Sequence, residues 1–222
     1  MDLTEKLKAL VLSDISKGFS EVTPKEYASM KYPRLIPMMR FGSHLLKSEG
    51  YGHLFLMDTS AMGGAMKLLT LSFMPDEGGD LPYLLIDTMS MKNKSLSYVE
   101  YYDCTGKDLH FESLSKIKEK YRALPDYDEK DAWYIKERMP VSLIKGGEEA
   151  DEDMLYAMAE ESIRAYMDLA KSAAKDPGNI EGLLRFRERM LKEGNPSSAT
   201  MEKVLGKEGA KLFFTTCVMP VL

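Results

Sequence analysis

Four stretches decide the fold: GHLFLMDT (52–59), AMKLLTLSFM (65–74), PYLLIDTMSM (82–91) and SLSYVEYYD (95–103). Their side chains follow a period of two and are rich in apolar and aromatic types, the pattern of strands. The connections Ser60–Gly64, Pro75–Leu81 and Lys92–Lys94 are short. A parallel pair needs a crossover of a dozen or more residues, so these gaps predict antiparallel neighbours, a meander.

Outward from this block the period is helical. Leu3, Leu7, Leu10 and Val11 predict an amphipathic helix over 3–17. Pro24, Pro33 and Pro37 make 23–37 mostly irregular, with room for a short helix before Pro33, and a second helix is expected over 37–48, ending at Gly50. After Gly106 the spacing of Phe111, Leu114, Ile117 and Tyr121 predicts another helix, and Trp133–Ile135 and Val141–Ile144 read as added strand. Residues 151–175 give the clearest helix, with Asp151, Glu152 and Asp153 at its positive end and Lys171 and Lys175 at its negative end. Asp176-Pro177-Gly178 stops it, and further helices follow over 179–192, 198–205 and 207–218. This order predicts an α+β fold, helices covering a mostly antiparallel sheet, in one domain over 1–222.

Composition narrows the function. The 30 basic and 35 acidic side chains give a formal charge of −5, which argues against an exposed nucleic-acid-binding face. Two cysteines, Cys104 and Cys217, form neither a disulfide framework nor a four-cysteine zinc site, and read as reduced thiols of a cytoplasmic protein. His44, His53 and His110 lack metal-ligand spacing, so no metal is expected. The first residues carry early acids and no secretory h-region, and no apolar run of membrane-spanning length occurs. Gly50-Tyr51-Gly52 precedes a strand instead of joining strand to helix, so it is no dinucleotide fingerprint. Methionine is the outlier, with 17 residues.

Asp87 stands out on physical grounds. Tyr83, Leu85, Asp87, Met89 and Met91 share one face of their strand, and Leu84, Ile86 and Thr88 the other. Either face sets Asp87 among large apolar neighbours, where a carboxyl has a raised pKa and can donate a proton near neutral pH. Asp58, after Leu54 and Leu56, has a weaker version of this setting. The alternative for both is a strand-end position satisfied by backbone N–H groups or solvent.

The segment from Leu69 to Asp103 resembles the ferredoxin-dependent bilin reductases. Leu71-Ser72-Phe73-Met74-Pro75, then Leu81-Pro82, then Tyr83-Leu84-Leu85-Ile86-Asp87, carry the likeness, and Tyr102-Asp103 closes it. Arg122-Ala123-Leu124-Pro125-Asp126-Tyr127 and Tyr166-Met167-Asp168-Leu169-Ala170 are similar to the family's middle region, and 195–220 to its closing helices.

The resemblance implies a three-layer α/β/α sandwich with a central antiparallel sheet. It implies an oxidoreductase that reduces a linear tetrapyrrole with no bound cofactor, taking single electrons from reduced ferredoxin or flavodoxin and protons from carboxyl groups. Asp87 would be the central proton donor and Asp58 the acid of the first strand of the pair. The bilin would meet Thr70, Tyr83, Leu85, Met89 and Asn195. Two positions depart from the pattern: Thr70 stands where some members have His, and Asn195-Pro196 where many have Asn-Asp. The departures leave open a simpler reduction, a different substrate, or a carrier that binds a tetrapyrrole without turnover. Arg34, Arg40, Arg138, Arg185 and Arg187 are the candidates for holding its propionates. An acidic electron donor would need a local basic patch at the pocket mouth, because the net charge opposes long-range steering.

Overall fold

The computed structural model describes residues 1–33, 38–75, 79–129, 131–173, 180–195 and 197–220. It opens with α1 (Leu3–Leu10), extended by a wider turn at Val11–Ile15. Asp2 caps α1: its Oδ1 accepts from Glu5 N at 3.0 Å while Glu5 reaches back to the Asp2 N–H. Then come β1 (Ser20–Glu21), α2 (Lys25–Ala28), β2 (Ser29–Tyr32) and β3 (Met39–Ser48). The meander follows as β4 (Gly52–Ala61), β5 (Met66–Met74), β6 (Tyr83–Met91) and β7 (Lys94–Tyr102). After α3 (Glu112–Lys120), β8 (Leu143–Gly147) adds to the sheet, and α4 (Glu152–Ser172), α5 (Ile180–Lys192) and α6 (Ser198–Phe213) complete the described elements.

The strands form one eight-stranded sheet in the order β1-β3-β4-β5-β6-β7-β8, with β2 also on β3. Every pairing is antiparallel. Alternation assigns the two faces. Leu54, Leu56, Leu69, Leu71, Leu84 and Ile86 pack against α1 and α4, where Leu3, Leu7, Leu155 and Ile163 are fully buried. Phe55, Met57, Tyr83, Leu85 and Tyr102 pack against α5 and α6 through Leu183, Phe186, Met201 and Phe213. Each fully buried Leu, Ile or Phe contributes about 1.5–3 kcal/mol. The fold is α+β, a three-layer α/β/α sandwich around a central antiparallel sheet.

Residues 39–48 correct the expected second helix: they are β3, paired over ten residues with β4. Met38, Phe41 and Leu45 are spaced as on a helix face, which is why the stretch reads as one. In the sheet Phe41, Ser43 and Leu45 are buried on one face and Leu46 packs on the other, and the ladder outweighs local propensity. The stretch after Pro24 holds the short helix expected before Pro33, α2, and also the unexpected strand β2. Trp133–Glu137 is a 3-10 turn instead of a strand, whereas Leu143 and Ile144 do begin β8. The break between the last two expected helices is real: Gly206, at φ 74°, interrupts α6. The helix stop at Asp176-Pro177-Gly178 lies outside the described residues.

Candidate functional site

Between the sheet and the α5–α6 layer lies a cavity of about 410 Å³, within the usual ligand-pocket range of roughly 300–1,000 Å³. β6 builds its floor. Odd-numbered side chains of this strand face α5 and α6, so Tyr83, Leu85, Asp87 and Met89 all line the cavity. Thr70, directly opposite Asp87 on β5, lines it too, and Asn195 reaches it from the loop between α5 and α6. Six of the seven residues expected at the site thus meet in one place.

Asp58 is the exception. It shares the face of Leu54 and Leu56, beneath α1, and its Oδ1 accepts from Lys8 Nζ at 2.7 Å. One residue of parity puts it on the opposite side of the sheet from Asp87, and Met57 takes the cavity position of β4. Gly42 faces it across the ladder, where any Cβ would stand 2.7 Å from Asp58 Oδ1.

Asp87 keeps part of its surface open to the cavity while protein atoms crowd its other sides. Burial pushes its carboxyl up from 3.8 to about 6; a hydrogen bond from Thr70 Oγ1 and the charge of Arg138 pull the other way. Thr70 Oγ1 donates to Asp87 Oδ1 at 2.5 Å.

A second acid lies beside it. Glu100, on β7, is fully buried and lines the same cavity. Burial pushes its carboxyl up to about 7; Arg138 lowers it and Asp87 raises it. Tyr102 Oη donates to Glu100 Oε1 at 2.8 Å, and Arg138 Nε donates to the same oxygen at 2.5 Å. Arg138 also donates to both oxygens of Glu129. The sequence reading passed over Glu100, although Tyr98, Glu100 and Tyr102 share a strand face and repeat the signal that singled out Asp87: an acid flanked at i±2 by large side chains.

The roof is anchored at both ends. Ser72 Oγ donates to Val218 O at 2.7 Å, and Trp133 Nε1 donates to Gly194 O at 2.9 Å. Arg189 stacks over Trp133 at 4.2 Å. Asn195 spends its carboxamide locally: Oδ1 accepts from Ser197 N and Oγ, at 3.1 and 3.0 Å. Pro196 lies outside the described residues.

Methionines supply much of the wall. Met39, Met57, Met66, Met89, Met190 and Met201 line the cavity, whereas Met62 and Met91 are exposed. Met side chains adapt to irregular or flat apolar partners. Of the candidate arginines, Arg138 is in the cavity and Arg187 lines an adjoining cleft of about 560 Å³ that shares Met57, Thr70 and Asn195 with it. Arg40 and Arg185 are exposed, and Arg34 lies outside the described residues. Among the described residues no cluster of metal-ligating side chains occurs, and no helix is long and apolar enough to cross a membrane.

No family model matches the chain, and no curated protein matches it by sequence. Solved structures do. Phytochromobilin synthase from tomato, crystallised in complex with biliverdin, superimposes with a TM-score of 0.77 at 12% identity, over 96% of this chain and 81% of that one. The likeness establishes that the two chains share a fold.

Proposed function

We propose that the chain binds a linear tetrapyrrole in the cavity over β6 and reduces it, taking single electrons from reduced ferredoxin or flavodoxin and a proton from Asp87. One observation carries this reading. A carboxyl with a pKa near neutrality sits on the floor of a cavity walled by methionine and aromatic side chains, in a fold shared with a protein crystallised with biliverdin. Such an acid keeps its proton to a pH much closer to neutrality than an ordinary carboxyl and can release it to an electron-rich pyrrole. Tyr83, Leu85 and Met89 give the tetrapyrrole its apolar bed, and Thr70 orients the acid. Lys192, Lys207 and Lys211 on the adjoining cleft, interspersed with Glu188, Glu202 and Glu208, supply local positive charge where an acidic donor protein would dock.

Thr70 favours a second reading, a tetrapyrrole carrier. A threonine hydroxyl holds the Asp87 carboxyl but does not exchange protons with it at neutral pH, so the pair has a single titrating member. Anaerobic mixing of the biliverdin complex with chemically reduced ferredoxin separates the two. Loss of the bound bilin's absorption with new product bands is the result expected of a reductase. A stable bound spectrum selects the carrier.

A further inference from the structure

One guanidinium faces three carboxyls in the cavity. Arg138 is the hub: its Nε donates to Glu100 Oε1 at 2.5 Å and its Nη2 to Glu129 Oε1 at 3.0 Å. The Arg138 and Glu100 side chains are 8% and 2% exposed, and that of Glu129 is 19%. Asp87 pairs with Tyr98 and Leu85 with Glu100, so the two acids are diagonal neighbours on one sheet face, about 7 Å apart. The remaining titratable groups on the cavity are the phenols Tyr83, Tyr98 and Tyr134, all pushed further up by burial and therefore neutral. The α5–α6 side contributes Met190, Asn195, Ser197, Thr200 and Met201, none of them charged.

Charge counting then sets the protonation state. Three ionised carboxylates would leave two negative charges without a partner in a confined, largely apolar space, and neutrality requires two protons. Glu129, bound through both oxygens by the guanidinium in a two-pronged pair, is the partner whose charge Arg138 balances. The protons fall on Asp87 and Glu100. The hydrogen bonds agree with this assignment. Thr70 ends on Asp87 Oδ1, and both Tyr102 and Arg138 Nε end on Glu100 Oε1. In each acid one oxygen is held and the other, Oδ2 or Oε2, is left to carry the proton.

We propose that Glu100 is a second proton donor, and that the cavity stores the two protons that a two-electron reduction of one tetrapyrrole double bond consumes. This rests on the reading of the site as a bilin reductase. Two reduced ferredoxins each give up one electron and are oxidised. The O–H bonds of Asp87 and Glu100 break, one new bond to hydrogen forms at each end of the reduced double bond, and two carboxylates remain. Arg138, already on Glu100 Oε1, stabilises the carboxylate formed there. Both carboxylates take protons from water before the next turnover.

Infrared spectra of the unliganded protein at pH 6 test the store without any substrate. Two protonated-carboxyl carbonyl bands are expected, one removed by Glu100→Gln and the other by Asp87→Asn. A protonated-carboxyl signal unchanged in Glu100→Gln overturns the proposal. The catalytic half is tested by anaerobic single turnover of the biliverdin complex with reduced ferredoxin. Glu100→Gln is expected to bind biliverdin and accept the first electron but to form product on the order of 10²-fold more slowly, with Glu100→Asp restoring most of the rate. Glu100→Gln leaves Arg138 its partner Glu129, so the variant is expected to match the wild type in far-ultraviolet circular dichroism and in biliverdin affinity, and a defect in product formation is then not a folding artefact. Product formation at the wild-type rate in Glu100→Gln overturns the proposal. If the wild-type protein leaves biliverdin unreduced, the bilin-reductase reading fails, and the infrared bands still decide the two-proton store.

Discussion

Thr70 and Asp87 are paired directly across β5 and β6, and the Thr70 hydroxyl donates to the Asp87 carboxyl at 2.5 Å. The bond fixes the carboxyl toward the cavity and favours its ionised form, yet burial wins and the acid titrates at about 6. Of these two residues only Asp87 holds a transferable proton, and it is the centre of the proposed chemistry.

Asp87→Asn keeps the shape of the side chain and an oxygen for Thr70 but carries no transferable proton. The variant is expected to perturb the biliverdin spectrum as the wild type does and to lose turnover by on the order of 10²–10⁴-fold. A one-electron-reduced bilin should accumulate, visible by electron paramagnetic resonance. Full turnover removes Asp87 from the mechanism.

The two buried acids make stability depend on pH with a defined sign. Asp87 is raised from 3.8 to about 6 and Glu100 from 4.5 to about 7, so the folded state binds more protons than the unfolded one across that window. Their contribution is complete below about pH 4 and is lost as pH rises through 6 to 7. A two-unit shift corresponds to about 3 kcal/mol. Carboxyls held below their usual values, such as Asp2 and Asp103, act in the opposite sense but at more acidic pH. Urea unfolding should therefore give a lower free energy at pH 8 than at pH 5, and Asp87→Asn should remove about half the difference. A flat profile in the wild type contradicts the burial of these acids.

Gly182 tests how α5 seats on the sheet. A Cβ there would lie 1.7 Å from the Cys104 backbone carbonyl oxygen, just beyond the end of β7. Alanine is the better helix former by about 1 kcal/mol, so propensity alone predicts a gain. Packing predicts the reverse, a loss of about 1–3 kcal/mol, because a backbone carbonyl cannot step aside as a side chain can. Thermal unfolding of Gly182→Ala should fall and biliverdin binding weaken as the cavity roof shifts. A higher melting temperature would falsify this docking.

The meander was legible because its strands are long, alternate cleanly and are joined by gaps too short for helices. The same alternation put Asp87 on the face of Tyr83, Leu85 and Met89. It also holds the information that separates Asp58 from Asp87, but only relative to the partner strand. A carboxyl's face is set by register, and Asp58 pairs with Leu69 while Met57 pairs with Thr70. β3 was hidden because Met38, Phe41 and Leu45 fit a helix face, and its ten-residue ladder with β4 is a tertiary fact. Arg138 follows the 3-10 turn Trp133–Glu137, and nothing local announces that it reaches Glu100, 38 residues earlier.

Asp58→Asn is the matched control. Its partner Lys8 is a partly exposed lysine on α1, and such pairs contribute roughly 0–1 kcal/mol. The variant should fold with nearly wild-type stability and bind and reduce biliverdin as the wild type does, in contrast to Asp87→Asn. A loss of turnover there with binding intact would mean that the sheet's two faces are not separated as described.

The central claim is that a linear tetrapyrrole occupies the cavity over β6, and a visible-absorption titration tests it most directly. Biliverdin added at micromolar concentration to the wild-type protein should shift and sharpen the long-wavelength band to a saturating one-to-one end point. Leu85→Trp, which fills the floor beside Asp87, should leave the free-biliverdin spectrum unchanged while its far-ultraviolet circular dichroism matches the wild type. An unperturbed spectrum with the wild-type protein, or an identical perturbation with the filled cavity, contradicts the account.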